Sequence, residues 1–113
     1  MNEPNVREDL PPIIADHLPE IVAVARRHGV ARLEVFGSVM TDRYDPTRSD
    51  VDFLVRYPDD YQFGPFLKRF QQLEEDLGVV LDSPVDLVME SPSLKDRFVR
   101  SIAPTRHVVF DGR

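Results

Sequence analysis

The chain has 113 residues, 42% of them hydrophobic, a size that buries one core and leaves no room for a second domain. Its formal charge is −6, from 20 acidic and 14 basic residues without any lysine or arginine run, which argues against direct nucleic-acid binding. The absence of cysteine excludes disulfides and thiolate metal sites. No signal-like segment or membrane-length apolar run is present, so we expect a cytoplasmic protein that does not contact a membrane.

The first third of the chain predicts a polar segment followed by a helix. Residues 1–10 are polar and are expected to form a flexible N-terminal segment, which leaves residues 11–113 as the single folded domain. Apolar residues at helical spacing predict a helix from about Leu18, with Pro19 near its start and Gly29 just past its end.

The rest of the chain predicts a small mixed sheet flanked by helices, an α/β (α+β) fold. Strands are predicted over Arg32–Phe36 and Val51–Arg56, with a turn and a loop between them. An amphipathic helix follows from about Phe63, and Gly78 is expected to close it, so that Val79–Leu81 leads into a third strand. The remaining predicted elements are that strand in SPVDLVME, a short helix near Leu94–Ile102 and a strand near His107–Phe110.

A Gly-Ser turn and two aspartates carry the chemical information. Gly37 and Ser38 follow the first strand, and Asp50 and Asp52 follow after a loop. Because alternate side chains of a strand share a face, the two carboxylates project together, ~6–7 Å apart. Glycine lets a backbone approach a phosphate closely, and a serine hydroxyl can donate a hydrogen bond to it. Carboxylates and phosphates together are the ligands of Mg²⁺, so this pattern predicts a phosphate site beside a metal site.

The simpler interpretations of these residues are structural. A lone Asp-x-Asp is most often a solvated pair, and Gly-Ser alone can mark the end of a strand. The alternation of the aspartates with Val51, Phe53 and Val55 places them at the head of a half-buried strand, which a surface turn does not require.

A third carboxylate, Asp86, interrupts the apolar run of SPVDLVME. Burying an unpaired acid is costly, so on its own Asp86 is an edge-strand residue turned to water. Beside a two-metal site it becomes a third ligand, and it could accept the proton of an attacking hydroxyl as a general base.

With these motifs in this order, the chain resembles the minimal nucleotidyltransferases of the DNA polymerase β-like superfamily, and among them the MNT antitoxins of HEPN/MNT toxin–antitoxin pairs. The resemblance runs from about Leu18 to Phe110 and rests on GVARLEVFGS, RSDVDFLV, SPVDLVME and SLKDRFVRSI…HVVF. It implies the following roles: Gly37 and Ser38 form the nucleotide-binding turn, Asp50 and Asp52 the metal-binding pair, and Asp86 the third acidic catalytic position.

The resemblance also implies an activity. It implies a polymerase β-like fold that uses two Mg²⁺ ions and ATP to transfer AMP to a hydroxyl, that of a tyrosine on a partner HEPN toxin, and so acts as the antitoxin. One departure is visible, because many members carry Ala-Arg-Gly where this chain has Met40-Thr41-Asp42. Arg43 or Arg48 could replace that arginine at the phosphates, although exposed arginines usually only coat a loop.

Two other functions are compatible with the same fold. One is a non-catalytic antitoxin that neutralises its partner by binding, with the acidic residues as a relic; the three intact aspartates argue against it. The other is a regulatory module that binds ATP and Mg²⁺ without transfer. The residues leave open the base preference, the number of nucleotides transferred, the acceptor and the oligomeric state.

Overall fold

The structure is a computed structural model that describes residues 5–61 and 65–112 of the chain. Within these ranges it contains four α-helices, four strands and two short 3₁₀ turns. The helices and strands are α1 (Pro12–Ala15), α2 (Leu18–Arg27), β1 (Arg32–Phe36), β2 (Val51–Arg56), α3 (Phe66–Leu81), β3 (Val85–Met89), α4 (Asp96–Ile102) and β4 (His107–Asp111). The 3₁₀ turns are Gly37–Met40 and Ala103–Thr105.

The four strands form one sheet in the order β3-β2-β1-β4. β1 pairs antiparallel with both β2 and β4, whereas β2 and β3 run parallel. A parallel pair needs a long crossover, and α3 supplies it. The predicted mixed sheet flanked by helices is therefore confirmed, with Phe36, Asp52 and Asp86 side by side in register across three strands.

The two faces of the sheet are covered differently. Alternate residues of each strand point to one face, where α2 and α3 pack on a large apolar core. The strand and helix residues at the centre of this core include Leu33, Val35, Val51, Phe53, Val55, Ile21, Val24, Leu73 and Leu77. On the opposite face, α4 covers a smaller cluster made of Phe36, Leu54 and Ile102. We call these the core face and the open face.

The boundaries of the first elements agree with the sequence prediction. β1 and β2 have the predicted limits, and α2 ends before Gly29, which adopts a φ of 67° in the left-handed region that favours glycine. The short helix α1, which begins at Pro12, was not predicted.

The predicted end of α3 at Gly78 is wrong. The helix continues through Val79–Leu81 because Leu81 is still buried in the core, and it ends at Leu81, followed by the C-cap Asp82, whose φ is 49°. The N–H of Ser83 then donates to the carbonyl of Gly78 at 3.2 Å, which closes the last turn. The predicted helix start near Phe63 lies outside the described residues.

Part of the N-terminal segment pairs with the loop that follows the Gly-Ser turn. Val6 forms an antiparallel bridge with Thr41, and the N–H of Arg7 donates to the carbonyl of Met40 at 2.7 Å. The flexibility of residues 1–10 stays a prediction. Over the described residues, no helix has the length and apolar character needed to cross a bilayer.

Candidate active site

The three predicted aspartates lie together at one end of the open face. Asp52 is the second residue of β2, and Asp86 is its register partner on β3. Asp50 lies directly before β2. Asp52 is half-buried, whereas Asp50 and Asp86 are exposed. The strand alternation that buries Val51 and Phe53 in the core therefore turns Asp52 to the open face beside its neighbours.

The proximity of these carboxylates changes the acidity of the central one. Burial, and then the negative charges of Asp86 and Asp50, raise the pKa of Asp52 to about 6. A bound cation would offset both causes, because it stabilises the ionised form of the half-buried carboxylate and reduces its repulsion with Asp50 and Asp86, so the arrangement suits a positively charged ligand. The site thus offers negative charge and carboxylate oxygens to a ligand.

The donor set fits a hard divalent cation that takes other ligands from substrate and water. In residues 5–61 and 65–112, no three acidic, histidine or cysteine side chains are arranged to hold a metal ion by themselves. Mg²⁺ does not need such a cage, because it commonly uses one or two carboxylates together with substrate phosphates and retained waters. Asp50, Asp52 and Asp86 offer only carboxylate oxygens, which are ligands of this kind.

The Gly-Ser turn lies against Asp52 and requires glycine at its first position. Gly37 has a φ of 83°, and a Cβ added there would overlap Oδ2 of Asp52. The 3₁₀ turn closes when Thr41 donates to the carbonyl of Ser38 through both its N–H and its hydroxyl, each at 2.9 Å. The turn thus brings the backbone of Gly37 and the partly exposed Ser38 next to the carboxylates.

Thr41 has a structural role in the segment that departs from the Ala-Arg-Gly element of the similar family. At this position of Met40-Thr41-Asp42 the side chain is buried, and its hydroxyl closes the turn and accepts the N–H of Arg43 at 3.1 Å. Thr41 is therefore a structural residue of the turn and brings no charge to it.

The loop before Asp50 is shaped by Asp45. Its Oδ1 accepts hydrogen bonds from the hydroxyl and the N–H of Thr47 at 2.7 and 2.9 Å, which hold the pKa of Asp45 below its ordinary value. The N–H of Ser49 donates to the Asp45 carbonyl at 2.8 Å. Arg48 is 87% exposed and lies 3.9 Å from Asp45, a surface ion pair on the outside of this loop.

Two features of the site were missed by sequence reasoning. The first is Thr105, from the 3₁₀ turn after α4, whose Oγ1 accepts the N–H of Gly37 at 2.9 Å. The contact joins positions 68 residues apart, and no local pattern around Thr105 indicates it.

The second missed feature is an ion-pair network on the open face. Glu34 of β1 is 4% exposed, and Arg106 binds both of its oxygens at 3.0 and 2.7 Å. Arg106 also donates to Glu90 at 3.2 Å, and Arg32 lies 3.1 Å from Glu90 and 3.5 Å from Glu34. The hydrogen bond to Glu34, partly offset by burial, raises the pKa of Arg106. This network fixes the start of β4 on the sheet.

A mixed sheet that presents a Gly-Ser turn beside aspartates from two adjacent strands defines the nucleotidyltransferase class. In agreement, residues 20–109 match the nucleotidyltransferase domain family, and the chain belongs to this family. The predicted fold class, family and enzyme class, nucleotidyltransferase, are confirmed.

Individual proteins are similar to this chain in sequence or in fold. The chain is 37% identical over 103 residues to protein adenylyltransferase MntA of Thermococcus cleftensis, covering 91% of this chain and 93% of that protein. A chain from the complex of a tri-AMPylated Shewanella oneidensis HEPN toxin with an MNT antitoxin has the same fold, with a TM-score of 0.59 and 20% identity over 86% of this chain and 71% of that one. A toxin–antitoxin structure with AMP-PNP gives a TM-score of 0.62 and 20% identity, covering 85% and 74%.

Proposed function

We propose that this protein is a Mg²⁺-dependent antitoxin that transfers AMP from ATP to a hydroxyl, that of a tyrosine, on a partner HEPN toxin. The observation that carries the proposal is the half-buried Asp52, flanked by Asp50 and Asp86 and packed against Gly37. The similarity to an adenylyltransferase and to chains from toxin–antitoxin complexes supports the choice of AMP and of the partner.

In this proposal Asp50, Asp52 and Asp86 hold Mg²⁺, with two ions in the complete site. When bound, Mg²⁺ neutralises the phosphates and stabilises the charge that develops on the attacking and leaving oxygens. Asp52 is held rigidly because its backbone is paired on both sides, with Phe36 on β1 and with Asp86 on β3. Asp50 and Asp86 are exposed and can adjust to the substrate.

The protein groups also direct the displacement. The acceptor oxygen attacks the α-phosphorus of ATP, the bond from that phosphorus to the bridging oxygen breaks, and pyrophosphate leaves. The attacking hydroxyl gives its proton to the carboxylate of Asp86, which acts as general base. The Ser38 hydroxyl and the adjacent backbone hold the phosphates that leave, where the close approach depends on the missing side chain of Gly37.

The site suits an acceptor hydroxyl on a protein better than one on a small molecule. The described residues form one layered domain around a single sheet, and two of the three aspartates, Asp50 and Asp86, are exposed at one end of the open face. An open site of this kind can receive a side chain carried by another protein, which would supply the remaining surface around the acceptor.

The experiment is transfer of label from α-labelled ATP, with Mg²⁺, to a HEPN-domain protein encoded beside this chain. The variant Asp50→Asn/Asp52→Asn should lower transfer by at least ~10²-fold, since it removes two of the three carboxylates. The matched control is Asp59→Asn/Asp60→Asn, which removes the same charge from exposed residues after β2 and should transfer normally.

The other functions give different results in the same assay. A non-catalytic antitoxin would form a silencing complex without any label on the partner. A regulatory module would bind ATP and Mg²⁺ without releasing pyrophosphate, with or without the partner. Either result would overturn the proposed transfer.

A further inference from the structure

The Gly-Ser turn is connected to the C-terminal part of the chain by one hydroxyl group. The N–H of Gly37 donates to Oγ1 of Thr105 at 2.9 Å, and this hydroxyl in turn donates to the carbonyl of Ile102 at 3.0 Å. A hydroxyl has a single proton to donate and two lone pairs. Because the proton of Thr105 is directed to Ile102, its oxygen faces Gly37 as an acceptor.

Thr105 itself is held in place from both sides. The N–H of Arg106 donates to the carbonyl of Ile102 at 3.1 Å, which closes the turn around Thr105. The guanidinium of Arg106 binds the buried carboxylate of Glu34 at 3.0 and 2.7 Å, so the turn is fixed to the central strand β1. The Thr105 oxygen is therefore a fixed point relative to the sheet, and it can locate a neighbouring loop.

The atom that Thr105 holds is in a sensitive position. Gly37 marks the change from the extended strand β1 to the 3₁₀ turn, and its backbone lies so close to Asp52 that a Cβ would overlap Oδ2. The first N–H groups of a helical turn have no partner within that turn. Without Thr105, the Gly37 N–H would lose its acceptor and the turn could rotate away from the carboxylates.

We propose that Thr105 is a positioning residue of the nucleotide-binding turn. Its hydroxyl fixes the Gly37 N–H, and thereby sets the orientation of Ser38 toward the phosphates of ATP. The proposal rests on the proposed function, because it takes Gly37 and Ser38 to be the groups that meet the phosphates. Thr105 acts through Gly37 and does not itself contact the nucleotide.

The test compares Thr105→Val with Thr105→Ser in the full chain. Valine keeps the shape and removes the hydroxyl, whereas serine keeps the hydroxyl. The control is Ser101→Ala, since Ser101 donates to the carbonyl of Phe98 at 2.7 Å, the same contact to a carbonyl three residues earlier, on the exposed side of α4. Three quantities are measured: hydrogen exchange of the Gly37 amide, the KM for ATP and the kcat of transfer.

For Thr105→Val we expect the Gly37 amide to exchange at least about tenfold faster, and the KM for ATP to rise about tenfold with kcat changed less than about threefold. Thr105→Ser should restore both values, and Ser101→Ala should leave them unchanged. An unchanged KM in Thr105→Val, or a failure of serine to restore it, would overturn the positioning role.

Failure of the proposed function would be recognised separately, in the wild-type protein. If the wild type binds ATP and Mg²⁺ without transferring AMP, the transfer is refuted and the dissociation constant for ATP, measured by calorimetry, replaces KM. A rise in that constant for Thr105→Val, reversed in Thr105→Ser, supports the positioning role. An unchanged constant refutes it.

Discussion

The two faces of the sheet differ in what they are built to do. On the core face, Val51, Phe53 and Val55 of β2 are fully buried among the apolar residues of α2 and α3. On the open face, the alternating residues of the same strand are Asp52, Leu54 and Arg56, and the short helix α4 covers part of this face around Leu54. One strand thus contributes both the main source of stability and the central acid of the site.

This difference shows how a small chain can hold a site whose charges lower its free energy of unfolding. Apolar burial on one face stabilises the domain through the hydrophobic effect. The opposite face can then hold the half-buried Asp52 beside two exposed carboxylates, and the buried Glu34, whose burial is unfavourable unless the charge is paired or neutralised. Substitutions on the open face should therefore affect charge and backbone conformation, whereas changes in the helices of the core face should act through helix propensity and packing.

The largest expected effect concerns the ion-pair network. Arg106→Leu leaves the 4% exposed carboxylate of Glu34 without its bidentate partner, and we expect the free energy of unfolding to fall by about 3 kcal/mol, measured by urea denaturation. The double variant Glu34→Leu/Arg106→Leu should recover much of this loss because no buried charge remains. A loss below about 1 kcal/mol in the single variant would show that the network does not anchor the open face.

The next effect concerns the Gly-Ser turn. Gly37→Ala places a Cβ against the carboxylate of Asp52 at a φ of 83°, and we expect a loss of about 1–3 kcal/mol in unfolding free energy together with loss of AMP transfer. Thermal unfolding and the labelled-ATP assay measure the two parts. Full activity in Gly37→Ala would mean that the close packing of the turn on Asp52 is not needed.

A smaller, pH-dependent effect is expected at Asp52. Its pKa is raised in the folded protein to about 6 from 3.8, so protonation favours the folded state. The stabilising contribution is complete below about pH 4 and disappears as the pH rises through about 6. Because the side chain is only half-buried, we expect its size to be about 1 kcal/mol.

The measurement compares the wild type with Asp52→Asn in metal-free buffer. Urea denaturation at about pH 4 and about pH 7.5 should show the wild type losing stability relative to the variant as the pH rises. Because all other titratable groups are the same in both proteins, their contributions cancel in the difference. If the difference in unfolding free energy between the two proteins does not change with pH, burial and the neighbouring carboxylates do not raise the pKa of Asp52.

The smallest expected effect concerns α3, one of the two helices that pack on the core face. Gly78 lies inside α3, and an added Cβ would meet the carbonyl of Ser83 at 3.4 Å, an ordinary contact. Gly78→Ala should therefore raise the unfolding free energy by about 0.5–1 kcal/mol, measured as a higher melting temperature, and leave transfer unchanged. A destabilised variant would instead favour a helix that ends at Gly78.

Features set by neighbours in the sequence could be predicted. The alternation of β2 gave its limits and the placement of Asp50 and Asp52 at its head, and the break after β1 gave the turn at Gly37. The end of α3 could not be predicted in this way, because Gly78 is a local signal that the burial of Leu81 overrides. Local propensity is weak compared with packing in such a case.

The long-range contacts that hold the open face could not be predicted, unlike the meeting of Asp86 with Asp50 and Asp52, which the resemblance implied. Glu34 looks like an ordinary polar residue of β1, yet its partner Arg106 lies 72 residues away. Thr105 is likewise 68 residues from Gly37, and its role depends on how α4 returns the chain to the open face. Neither contact leaves a period or a motif, since the spacing between the partners is set by the fold.

The strand order also has a consequence for synthesis on the ribosome. Gly37 and Asp52 leave the ribosome well before Thr105 and β4, which pairs with β1 at the end of the strand order. At roughly 5–20 residues per second, the turn waits for seconds before its hydroxyl partner is available. Until then, a nascent chain that already contains all five predicted site residues leaves the Gly37 N–H without its acceptor, and translation of the segment around Thr105 completes the support of the turn.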